Sequence, residues 1–349
     1  MQPKMLYMRK TPIESALILY LLAAGLVLFP YQWLGNFFTQ DEQLAGFLGL
    51  GILRIVFFGV MLLLSFHMGI RGALSPRKGG WKALFIALPA LAVAVNNLPI
   101  VALARGTASV TGGAGQIAAF ALQCIGVGLF EEMAFRGVIF PFVLGKTGTG
   151  KKGRFIAVLA SSAAFGLLHL VNLLGGFSGG VFLQVGYSFL IGCMLAVVMF
   201  RGGGVFTCAF IHAVYNFCGN IVYELGSGGA FGNIWSPEEI VLTAVVAVAA
   251  GVFFFFALAK SKPDYAEAFA VYPPPKANGA EAAAQTGAGE EPNGEVGDGK
   301  QAAAGEAAGG INADGAEGIA SPEAEERAGA SAPEGDGSGG GASADGDTQ

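Results

Sequence analysis

Eight apolar stretches, each long enough to cross a bilayer, set the terms for the first 260 residues of this chain. A helix needs about 20 apolar residues to cross about 30 Å of hydrocarbon. The stretches are Ile13–Leu34, Leu44–Ile70, Ala83–Ala104, Ile117–Leu144, Phe155–Leu174, Val181–Phe200, Val205–Tyr223 and Ile240–Ala259. In lipid every backbone N–H and C=O must find a partner within the protein, which multiple spans of this length achieve as helices. The expected fold class is all-α: a polytopic membrane helix bundle of about eight transmembrane helices.

Composition changes sharply near Lys260. Residues 1–260 carry sixteen Lys/Arg against eight Asp/Glu, whereas residues 261–349 carry four against seventeen. The second part is built from Ala, Gly, Glu, Asp and Pro and cannot bury enough apolar surface to offset its chain entropy. The expected organisation is a transmembrane domain over 1–260 followed by an acidic, Ala/Gly/Glu-rich disordered tail over 261–349. Such a block reads as a solvated interaction tail or spacer, and its composition selects no particular partner.

The loops give an orientation. Lys4, Arg9 and Lys10 precede the first span, and Arg71, Arg77, Lys78 and Lys82 follow the second. Lys146, Lys151, Lys152 and Arg154 follow the fourth, Arg201 the sixth, and Lys260 and Lys262 the eighth. The alternate loops hold Arg105 alone, a bias of fourteen to one that places both termini in the cytoplasm. The expected location is the cell (plasma) membrane, with the lipid bilayer as partner and no nucleic acid. The N-terminal apolar stretch runs too long for a cleaved signal. Cys124, Cys193, Cys208 and Cys218 all lie in apolar stretches, form no CxxC pair, and read as small packing residues.

Charged groups at the bilayer centre cost roughly 2.5–3.5 kcal/mol each on insertion scales, so the exceptions are informative. The fourth span contains Glu131, Glu132 and Arg136, the fifth His169, and the seventh His212 and Asn216. Glu132 and Arg136 are four residues apart and can pair on one face, while Glu131 is rotated by about 100° toward a polar cavity. His212 and Asn216 also share a face. At about 1.5 Å per residue, Glu131 lies about 20 Å from the cytoplasmic end of its span, and His169 about 21 Å into its own. His212 lies only about 11 Å in, so tilt, a shifted boundary or a deep Gly202-Gly203-Gly204 loop must absorb about two turns. Asn96 and Asn97, just before Pro99, either solvate a helix break or line a substrate cavity. His67 reads as interfacial, Glu224, Glu238 and Glu239 as solvated, and the Phe253–Phe256 run as lipid-facing or packing bulk.

A carboxylate with imidazoles inside a membrane can deprotonate water and direct it at a carbonyl. An imidazole and an amide on one turn can donate hydrogen bonds to a developing oxyanion. Alternatively Glu131, His169 and His212 could bind a divalent metal such as zinc, which would acidify the water instead. Neither HExxH nor a GxSxG elbow is present, so zinc-helix and serine-hydrolase readings fail.

The run Glu131-Glu132-x-x-x-Arg136, then Phe165-x-x-x-His169, then His212-x-x-x-Asn216 resembles the CAAX prenyl protease and bacteriocin-processing (CPBP, or Abi) family of intramembrane proteases. The resemblance spans residues 115–223. It implies an eight-helix core with a site opening toward the cytoplasm, and a membrane-associated peptide or protein substrate, lipidated or a leader or signalling peptide. It implies that Glu131 activates water with help from His169, that His212 and Asn216 hold the oxyanion, and that Glu132 and Arg136 support the site. The family is called a metalloprotease family, and the motif leaves both a metal-dependent and a metal-independent glutamate mechanism open. The competing readings are a non-catalytic scaffold or peptide-toxin immunity protein on the same fold, and a proton-relaying transporter.

Overall fold

The computed structural model describes residues 8, 10–70, 74, 81–177, 179–228 and 236–262, and for 81–84 the backbone alone. All of them fall in one compact unit. The acidic tail expected from Ser261 onward lies outside the described residues, except for its first two positions. Ser261 is buried, and its carbonyl accepts a hydrogen bond from Arg154 at 2.9 Å.

The described chain is helical, as its unbroken apolar stretches require. In order, α1 spans Pro12–Val27, α2 Gln32–Gly35, α3 Glu42–His67, α4 Trp81–Asn96 and α5 Ile100–Arg105. Then α6 (Ala114–Glu132) runs through a π-helical segment (Met133–Ile139) into α7 (Phe140–Thr147) as one span. After it, α8 (Lys151–Leu168) tightens into a 3₁₀ turn (His169–Gly175), followed by α9 (Gly179–Phe200), α10 (Gly204–Leu225) and α11 (Pro237–Ala259). Two-residue strands β1 (Ser109–Val110) and β2 (Gly226–Ser227) pair antiparallel in the connecting loops.

Among the described residues six spans are long and apolar enough to cross a membrane, and α1 and residues Phe85–Asn96 of α4 are shorter apolar helices. Together they make the eight segments expected, but the first and third are interrupted. Pro30 restricts the residue before it and α1 stops at Val27, so the expected span to Leu34 resumes only as the short α2. Pro99 likewise separates α4 from α5. The π segment precedes Pro141, whose ring has no N–H and crowds the carbonyl four residues back. Widening the turn relieves that crowding, and Phe140 N–H bonds to Phe135 O.

The central span, α6, packs most extensively against α3 and α10. The contacts are glycine-lined: a Cβ on Gly126 would lie 2.5 Å from the Gly51 carbonyl oxygen, and one on Gly128 2.6 Å from that of Ala209. Small residues that let backbones approach replace the hydrophobic drive that lipid does not supply. Outward faces carry large apolar side chains, among them Leu63, Phe85, Leu183 and Val248. The phenylalanine run divides: Phe254 is buried, whereas Phe253, Phe255 and Phe256 are exposed.

Candidate active site

The π segment and the residues before it are buried without exception from Glu131 to Phe142. Within this core Glu132 is an acceptor for two cations or donors. Its Oε1 accepts from Arg136 Nη1 at 2.9 Å and from His212 Nδ1 at 2.8 Å. A carboxylate oxygen only accepts, so His212 Nδ1 carries the proton and its Nε2 is turned the other way. That nitrogen lies 3.7 Å from Glu131 Oε2. Glu131 Oε2 itself is buried and makes no hydrogen bond. The expected pairing of Glu132 with Arg136, leaving Glu131 to a cavity, is the arrangement observed.

Phe165 wedges this cluster in place. The Arg136 guanidinium lies 4.4 Å from its ring centroid, and the rings of His169 and His212 meet it nearly edge-on at 5.2 and 5.7 Å. His169 is the first residue of the 3₁₀ turn, and its Nδ1 donates to the Phe165 carbonyl at 3.1 Å. A carbonyl accepts only, so Nε2 of His169 is left as the ring's free acceptor.

Glu131, His169, His212 and Asn216 line one cavity of about 570 Å³, together with Asn97. Asn97 donates to the Tyr215 carbonyl at 3.0 Å. Asn96 is not in that lining, because its amide turns to α11 and donates to Thr243 Oγ1 at 3.1 Å. Glu132 and Arg136 lie behind the cavity wall. The two-turn depth mismatch is absorbed where α9 meets α10. Gly202, Gly203 and Gly204 are buried, and Gly202 and Gly204 take φ of 97° and 69°, so α10 starts inside the bundle.

The sequence reading passed over Arg54. It is buried on α3, lines the same cavity, and interacts electrostatically with Glu131. Its guanidinium donates to the Leu26 and Val27 carbonyls at 2.7 and 2.9 Å, satisfying acceptors left free where α1 ends inside the bundle. The rule that singled out Glu131, a charge in mid-span, applies equally to Arg54. Two acidic residues expected to be solvated are not. Glu239 is buried and accepts from the Val101 N–H at 2.8 Å, capping the start of α5. Glu224 is half-buried and lines the cavity. Glu238 is exposed, as expected, and pairs with Arg105 at 3.1 Å.

Among the described residues no group of three His, Cys, Asp or Glu side chains is placed to hold a metal ion. His212 Nδ1 and His169 Nδ1 bond to Glu132 and to the Phe165 carbonyl, which leaves each ring its Nε2, so the misfit lies in the spacing of the three side chains. As placed, Glu131, His169 and His212 do not make a metal site.

Among the cavity's lining residues Asn172 and Asn220 are exposed, near the ends of α8 and α10 that lie away from Lys146, Lys151 and Arg201. The site therefore opens at the end of the bundle opposite the basic loops, not at the basic-loop end.

No curated protein and no solved structure matches this chain. A family model does, over residues 113–218, described as Type II CAAX prenyl endopeptidase Rce1-like. The match begins just before α6 and ends just past Asn216, so it contains every residue of the cluster except Arg54 and the asparagines of α4. The chain is an integral membrane protein whose residues 113–218 are similar to the Rce1-like CAAX prenyl endopeptidases.

Proposed function

We propose that the protein is an intramembrane endopeptidase that hydrolyses a peptide bond of a membrane-associated substrate with water activated by Glu131. The observation that carries this reading is the Glu131 carboxylate. Its Oε2 is buried, without a hydrogen bond, on the wall of a polar cavity and 3.7 Å from an imidazole. Glu132 also has a buried Oε2 without a hydrogen bond, but its Oε1 holds Arg136 and His212 and it lies off the cavity, whereas Glu131 lines the cavity.

The chemistry follows from the donors. Glu131 takes a proton from a water molecule in the cavity, and His169 Nε2 accepts the water's other O–H and orients it. The hydroxide adds to the peptide carbonyl carbon. The resulting oxyanion accepts hydrogen bonds from the Asn216 amide and from Nε2–H of doubly protonated His212. Glu132 is paired with Arg136, and the oxyanion, formed as Glu131 takes the proton, itself balances the His212 charge. Collapse of the intermediate breaks the C–N bond, and the leaving amine takes the proton held by Glu131.

Fourteen basic residues on alternate loops against one support cytoplasmic termini. The plasma membrane is the proposed location, and a CAAX-type protein or a leader or signalling peptide the proposed substrate. The domain limits proposed are a catalytic membrane domain over 1–260 and an appended tail over 261–349.

The test is Glu131→Gln in detergent micelles with a fluorogenic peptide library. Cleavage should fall by about 10²–10⁴-fold at unchanged thermal unfolding. Dialysis of the parent protein against a chelator should leave turnover within about twofold. Full activity in the variant removes the glutamate mechanism, and loss on chelation restored by zinc would reinstate a metal.

A further inference from the structure

The residues lining the cavity are distributed unevenly along the helices. On α6 they run from Glu131 toward the start of the helix, through Val127 and Cys124 to Phe120. On α10 they run the other way, from His212 toward Glu224 at its end. The two helices are antiparallel, so both directions lead to the same end of the bundle. That end carries the β1–β2 pair and the Arg105–Glu238 ion pair. It also carries exposed Trp33, Phe37 and Phe38 between α1 and α3, aromatic bulk suited to a membrane interface.

The opposite half is solid. Below Glu131 the side chains of Met133, Phe135, Val138, Phe140, Leu195 and Phe200 are each at most 1 % exposed. Lys146, Lys151 and Lys152 lie beyond them, and Arg154 clamps the end of α11 through the Ser261 carbonyl. Packed interiors of this kind hold no passage for a peptide. Among the described residues, the path to Glu131 thus leads from the end opposite the basic loops. Basic loops mark the cytoplasmic side.

From these two observations we infer that the site takes its substrate from the non-cytoplasmic side of the membrane. The inference rests on the endopeptidase reading and adds the direction of delivery. The stretch of α10 from Glu224 to His212 rises about 18 Å, which an extended chain covers in about six residues. A cavity of about 570 Å³ excludes a folded domain. The substrate class is therefore an unfolded segment or free end of a membrane-anchored peptide exposed outside the cytoplasm. A lipidated C-terminus presented from the cytoplasm would meet the packed half. Asn172, Gln184 and Asn220 at the rim offer amides to an extended main chain.

Single cysteines test the direction without reference to turnover. N172C, Q184C and N220C sit at the rim, and K151C at the basic end. Cells expressing each full-length variant are treated with a membrane-impermeant charged maleimide before and after permeabilisation, with the parent chain as blank for its four native cysteines. The rim positions should be labelled in intact cells, at least tenfold faster than K151C, which should react only after permeabilisation. Three rim positions guard against loss of fold at any one. Labelling of K151C in intact cells with the rim protected would overturn the inference, as would a rim refractory from both sides. Either result leaves the Glu131→Gln outcome untouched, so the two readings fail separately.

Discussion

At the scale of the residue, the site is an arrangement of charges that the membrane makes expensive to leave unpaired. Glu132 holds Arg136 at 2.9 Å and His212 at 2.8 Å through one oxygen, and both partners are buried. Removing one member of a buried pair strands the other, at a cost of about 3–5 kcal/mol, whereas removing both is close to neutral. Arg136→Met should therefore lower stability by that amount. The double variant Glu132→Gln/Arg136→Met should recover most of it, measured by thermal unfolding in detergent. Recovery of fold should not bring recovery of cleavage, because His212 then lacks the carboxylate that fixes its Nδ1–H. A double variant that cleaves at the parent rate would show that Glu132 is only a packing partner. The acidic pair, both imidazoles and Asn216 were legible in the sequence because polar groups in apolar spans are conspicuous. Arg54 follows the same rule. Its role was hidden because it depends on where α1 ends, and that end is decided by chain packing.

At the scale of the element, interrupted helices do the positioning. The π segment fits Pro141 into the central span, the 3₁₀ turn brings His169 to the cavity wall, and the break at Pro99 frees Asn97 to face inward. Hydropathy reads none of these, because it averages over a window wider than one turn. It also cannot show which glycines are contacts. A Cβ at Gly126 would meet the Gly51 carbonyl at 2.5 Å, whereas one at Gly59 on the neighbouring helix meets nothing within 4 Å. Gly126→Leu should force α3 from α6 and destabilise the bundle by about 1–3 kcal/mol. Gly59→Leu should stay within about 0.5 kcal/mol. Equal midpoints for the two in a denaturant titration would contradict the close crossing.

At the scale of the whole molecule, one bundle carries the candidate site residues that line the cavity, from Arg54 on α3 to Asn216 on α10. The described residues end at 262, with Ser261 held by Arg154. A chain truncated after Lys262 should keep the parent's unfolding temperature and its rate of peptide cleavage within about twofold. A loss of tenfold or more would make the acidic segment part of the working enzyme. By itself the sequence determined the helical class, the number of apolar segments, the charge asymmetry of the loops and which polar residues lie in apolar spans. Each of these follows from the cost of placing a given group in hydrocarbon, which is a local quantity. The tertiary structure alone decided that Glu132 serves both Arg136 and His212, that Asn97 faces the cavity and Asn96 does not, and that the cavity opens away from the basic loops. Those facts depend on how far each helix slides and turns against its neighbours, which is set by contacts between residues distant in the chain.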